Sequence, residues 1–155
     1  MKSKASIAGH PLHPIFVTIP IGLWSFSPVC DLIYHTGWGG DSWRLAALYC
    51  LIGGIVGAVP AFITGYTDYS LCQTKAAAKV ATNHFYLNIT VTVLMVISVA
   101  FRFWTQTAYG IVPVVISVVG VILAGCSGWL GGELVVSHGI GVHDDAVKKE
   151  RASGG

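Results

Sequence analysis

GIVPVVISVVGVILAGCSGWLGGELV, residues 110–135, carries a single charged side chain, Glu133, in a run long enough to cross the apolar layer of a bilayer. A layer ~30 Å thick needs about 20 residues at ~1.5 Å of helical rise each. Three further stretches meet the same test, at 14–35, 44–66 and 83–104. Four such runs predict an all-α membrane protein, a four-transmembrane-helix up-down bundle. The chain then divides into an N-terminal segment, 1–13, a bundle, 14–135, and a polar tail, 136–155. Short turns at 36–43 and 105–109 and a longer polar loop at 67–82 join the spans. Pro20, Pro28, Pro60 and Pro113 fall inside them, which membrane helices tolerate as kinks.

Composition agrees. Of 155 residues 54% are hydrophobic and 10% charged, and mean hydropathy is +0.68, whereas soluble domains carry about 25% charged residues. The net charge of +2 is too small to argue for nucleic acid as a partner. Cys30, Cys50, Cys72 and Cys126 form no CxxC pair and read as small hydrophobes rather than a disulfide or a metal site. No cleavable signal peptide is expected, because only 13 residues precede the first full span.

An even number of spans puts both termini on one side, face A. Lys2, Lys4, Lys75, Lys79, Lys148, Lys149 and Arg151 fall there, against Arg44 and Arg102 at face B. That excess predicts a multi-pass protein of a bacterial inner membrane with both termini cytoplasmic. Trp38, Trp43, Trp104 and Tyr109 would form the aromatic belt at face B, and Tyr66, Tyr69, Phe85 and Tyr86 the belt at face A.

No tandem repeat is evident, but spans two and four share a feature. Gly53, Gly57, Ala61 and Gly65 recur every four residues in one, and Gly120, Ala124, Gly128 and Gly132 in the other. Such strips serve close helix packing. They also leave room for something flat between helices, with Gly65 and Gly128 beside it. Spans two and four are diagonal partners in an up-down bundle, as are spans one and three.

Five of the six histidines trace to face A: His10 and His13 in HPLHP, His84 at the start of span three, and His138 and His143 after span four. Only His35 is at face B. An interfacial histidine is ordinarily a headgroup-level amphipathic residue, and HPLHP can simply start a helix. The alternative is ligation by neutral imidazole. Prolines after His10 and His13 stiffen their backbone. His13 and His84 are expected at helix N-termini, His13 as an N-cap before Pro14, where the macrodipole keeps the ring neutral. Asn88, one turn beyond His84, is placed for its carbonyl to orient that ring. Among acidic residues, Glu133 and Asp31 lie at membrane depth and Asp68 at its edge; such carboxylates are functional candidates unless the interface wets them. Asp144 and Asp145 read as solvated tail. No P-loop, HExxH, GxSxG or CxxCH is present.

The segments GHPLHPIFVTIPIGLW, PAFITGYTDY, His84 with Asn88, and SGWLGGELVVSHGIGV resemble the bacterial family known as domain of unknown function 2231, over about residues 9–143. The resemblance implies a four-helix membrane protein, and it maps a family pattern onto His10, His13, His84, Asn88, Glu133 and His138. Fusions of the family to Rieske-type or cytochrome c-type domains imply electron transfer. The present sequence has no such domain, so a redox protein partner or a quinone would have to meet it by association.

Three functions remain open. The first is electron transfer through b-type haem, with His13 and His84 as axial ligands and His10 and His138 in reserve. The second is a Zn, Fe or Cu site built from these histidines and Glu133. The third is a structural or assembly subunit, where homo-oligomers are possible. An electron carrier or redox subunit is expected rather than a stand-alone enzyme.

Overall fold

The computed structural model describes residues 2–104 and 110–142. The turn at 105–109 with Tyr109, and the tail from His143 with Asp144, Asp145, Lys148, Lys149 and Arg151, lie outside the described residues.

Four helices, α1 (Leu12–His35), α2 (Asp41–Tyr69), α3 (Lys75–Trp104) and α4 (Ile111–Val136), are all long and apolar enough to cross a membrane. Large apolar side chains such as Ile122, Trp129 and Val136 point outward, as lipid requires rather than water. A small core of Trp24, Leu51, Ala58, Val91 and Met95 closes the middle of the bundle. Ahead of α1, strands β1 (Ser6–Ile7) and β2 (His10–Pro11) pair antiparallel. Ala8 and Gly9, both at positive φ, make the two-residue turn between them.

The helices outrun the hydropathy pattern at face A. The expected 67–82 loop shrinks to 70–74, because α2 continues to Tyr69 and α3 begins at Lys75. Residues 75–82 are alanine-rich, and the Thr74 hydroxyl accepts a hydrogen bond from the Ala77 N–H at 3.1 Å, capping the helix. Hydropathy marks the apolar centre of a span, not its ends. His84 therefore lies well inside α3, so the expected macrodipole effect does not apply to it. Pro11 takes the N-cap position of α1, which moves His13 into the first turn.

The two hairpins, α1/α2 and α3/α4, repeat each other. In the first, the His13 ring meets the Ala61 carbonyl at 2.8 Å and Ser27 donates to the Ala47 carbonyl at 3.1 Å. In the second, the His84 ring meets the Ser127 carbonyl at 2.8 Å and Ser98 donates to the Pro113 carbonyl at 2.7 Å. A Cβ on Gly54 would strike Trp24, and one on Gly120 would strike Met95; Gly65 abuts His13 as Gly131 abuts His84. The α1 residues map onto α3 at one constant shift, the 71 residues that separate Asp31 from Arg102. The α2 residues map onto α4 at another. This is a parallel repeat about an axis along the bundle. It escaped the sequence reading because only contact positions repeat, while the lipid-facing positions between them differ freely.

Residues related by the axis meet across it, between the diagonal helices α1 and α3. At face B, Arg102 donates two hydrogen bonds to Asp31 at 2.8 and 2.7 Å, with both side chains buried. The Arg102 Nε–H also donates to Ser98 at 3.3 Å. Asp31 is thus the partner of a cation at membrane depth, and Arg102 is not a surface charge. At face A, the rings of His13 and His84 face each other.

Candidate functional site

A cavity of about 360 Å³ occupies the face-A half of the bundle. All four helices line it. Trp24, Ala58 and Ala124 lie toward its floor, and Pro11, Asp68 and Gly141 toward its mouth. His13 and His84 enter from opposite sides, with ring centroids 6.3 Å apart and planes at 84°.

Each ring is fixed the same way. A backbone carbonyl can only accept, so the 2.8 Å contacts to Ala61 and Ser127 place the proton on Nδ1 of both histidines. Each Nε2 then presents a lone pair. The Ser127 hydroxyl, 3.0 Å from His84 Nδ1, adds a second contact on that side. Small residues let the rings seat against α2 and α4: a Cβ on Gly65 would come within 2.8 Å of the His13 ring, and one on Gly131 within 3.1 Å of the His84 ring. Such carbonyl-anchored imidazoles are the usual arrangement of ligating histidine, since the bond at one nitrogen fixes the tautomer and aim of the other.

The two histidines differ in one respect. The Asn88 amide donates to His84 Nε2 at 3.1 Å and to the His84 carbonyl at 2.9 Å. Its amide nitrogen, not its carbonyl as expected, faces the ring. The residue equivalent to Asn88 in α1 is the apolar Val17, and His13 Nε2 has no hydrogen-bond partner among the described residues. His13 therefore offers a free lone pair, and His84 offers one once Asn88 swings aside.

The remaining candidates are not brought to this pair. His10 is exposed on β2, with its ring on the Ala8 carbonyl at 3.2 Å. His138 follows α4, and neither it nor Glu133 lines the cavity. His35 stacks edge-on against Tyr34 at face B. Among the described residues no group of three or more His, Cys, Asp or Glu could hold a metal ion. Cys72 lines the mouth, but burial, and after it the nearby Asp68 charge, push its thiol above the ordinary value, so it is protonated near neutral pH.

The glycine strips divide. On α2, Gly53 and Gly57 pack on Leu23 and Ile19 of α1, the close-packing role. On α4, Gly120 packs on Met95, but added Cβ atoms at Gly128 and Gly132 would meet nothing within 4 Å. Both glycines line the cavity. Asp68 has a role the sequence did not reveal. It accepts hydrogen bonds from the Ser3 hydroxyl at 2.6 Å and the Lys4 N–H at 2.8 Å, tying the N-terminal strap to the end of the bundle.

No curated protein and no solved structure matches the chain. A family model does, over residues 9–144, and covers the whole bundle with both histidines. The chain belongs to the family described as predicted membrane protein (DUF2231).

Proposed function

We propose that this protein is a membrane electron-transfer protein that binds b-type haem between His13 and His84. The histidine pair carries the reading: two imidazoles of fixed tautomer, Nδ1 spent on backbone carbonyls, converge on an apolar cavity. A metal held ~2 Å from one nitrogen of each of two opposed imidazoles separates their centroids by roughly 6 Å, and the observed separation is 6.3 Å. Two protein ligands complete the coordination of a haem iron, whereas zinc takes three or four from the protein. Ligand number thus favours haem over a bare ion. When bound, haem supplies one-electron exchange. The chain's own residues orient the ligands through Ala61 and Ser127, exclude water with Trp24 and Ala58, and leave flat space at Gly128 and Gly132.

A structural role has one supporting observation, that both Nδ1 bonds join neighbouring helices and strengthen packing by themselves. Membrane orientation belongs to the same proposal. Lys2, Lys4, Lys75 and Lys79 lie toward face A, while Arg102 is neutralised by Asp31. The basic excess therefore supports cytoplasmic termini in a bacterial inner membrane. A redox protein or a quinone would be the electron partner.

The test is a visible spectrum of the purified protein after haem addition. A low-spin Soret band is expected. It should vanish in His13→Ala and His84→Ala and persist in His35→Ala and His10→Ala. Stoichiometric Zn, Fe or Cu with no Soret band would select the bare-metal site, and neither signal would leave the structural role.

A further inference from the structure

The repeat that relates the two hairpins also relates the two side walls of the cavity, and there it fails. On the α2/α3 wall, Phe85 packs against Phe62 at 6.0 Å and Tyr66 at 6.3 Å between ring centroids. Their equivalents on the α4/α1 wall are Pro14, Gly128 and Gly132. The two glycines are exposed, line the cavity and have open space where a side chain would stand. Opposite them on α1, Pro14 and Ile21 also line the cavity and are exposed. One flank is shut by three aromatic rings; the other is open within the spans, toward lipid. The end that faces water carries the strap pinned to Asp68.

We infer that the α1/α4 flank is a lateral portal, through which a flat apolar macrocycle of the haem class passes from the bilayer to His13 and His84. The occupant rests on the function proposed above; the opening rests on the two walls alone. The three features agree in chemistry. A sparingly water-soluble macrocycle resides in lipid, the gap lies at lipid depth, and the imidazole lone pairs wait behind it.

Trp24 provides a readout independent of haem, because it is only 5% exposed and lies toward the cavity floor. A variant keeping Trp24 alone (Trp38→Phe, Trp43→Phe, Trp104→Phe, Trp129→Phe) is placed in vesicles containing duroquinone, a lipid-soluble quencher. Gly128→Phe with Gly132→Tyr rebuilds the closed wall and should cut the quenching severalfold. Gly125→Phe, on α4 but outside the cavity lining, should not. In parallel, haem uptake from haemin-loaded vesicles should slow about tenfold or more, the effect of a steric barrier of ~1.4 kcal/mol or higher. Gly128→Phe alone serves if the double variant does not fold. Unchanged quenching with a normal Soret band overturns the portal and leaves haem binding standing. Gated quenching with no Soret band in any variant overturns the macrocycle as occupant, and the proposed function with it.

Discussion

The two ends of the α1/α3 seam solve the same problem in opposite ways. At face B the repeat-related positions hold Asp31 and Arg102, which cancel each other's charge through two short hydrogen bonds and are buried. At face A they hold His13 and His84, which do not bond to each other, spend one nitrogen each on backbone and border about 360 Å³ of cavity. A filled, neutralised contact is a clamp. A pair of lone pairs beside open space is a candidate site. Polarity at membrane depth does not separate the two, and what each group is bonded to does.

That contrast breaks first at the clamp. Asp31→Ala leaves the Arg102 guanidinium buried without its carboxylate, a loss of about 3–5 kcal/mol. Thermal unfolding in detergent should show a large fall in Tm or failure to accumulate, while Asp31→Leu with Arg102→Leu recovers most of it. A single variant as stable as the parent would show that face B is no clamp. Next is packing at the repeated glycines. Gly54→Ala sets a Cβ 2.3 Å from the Trp24 indole nitrogen, an overpacking cost of about 1–3 kcal/mol. Gly120→Ala meets the end of the flexible Met95 side chain and should cost less, and Gly128→Ala should be neutral. Equal effects at all three would contradict the different neighbours these glycines meet. His13→Ala and His84→Ala should remove haem binding yet lower stability by only about 1 kcal/mol each, the worth of one hydrogen bond, so a collapse like that of Asp31→Ala would make the pair a second clamp. Ser27→Ala, which loses one bond between neighbouring helices, should be smaller still, about 0.6 kcal/mol by the average for interhelical bonds in membranes. Last, Asp68→Asn should leave Tm nearly unchanged but speed proteolysis of the strap at residues 2–11, read by limited digestion.

The sequence made the spans legible because bilayer thickness imposes a length and hydropathy that any span must show. It also made the His13–His84 pair legible, through the side of the bundle each span delivers. It hid the partner of Asp31, because Arg102 lies 71 residues away and looks like a flanking positive charge. It misplaced His84 relative to its helix start, because Lys75 to Thr82 is helical by propensity but not apolar. His10 and His138 shared a face with the pair, yet a shared face does not fix direction: β2 and the chain after α4 hold them away from the cavity. The repeat was the missed signal with most content. His then Ser fourteen positions on, followed four positions later by an ionisable residue, occurs at 13, 27 and 31 and again at 84, 98 and 102.

The Asp31–Arg102 pair bears on symmetry. Two identical hairpins assembled as a homodimer would place each on-axis residue against its own copy. Histidine facing histidine survives such self-pairing; aspartate facing aspartate at membrane depth does not. Opposite charges on the axis therefore need two hairpins of different sequence. The halves differ where sameness would be a burden, while the histidine positions, which tolerate it, keep the symmetric arrangement.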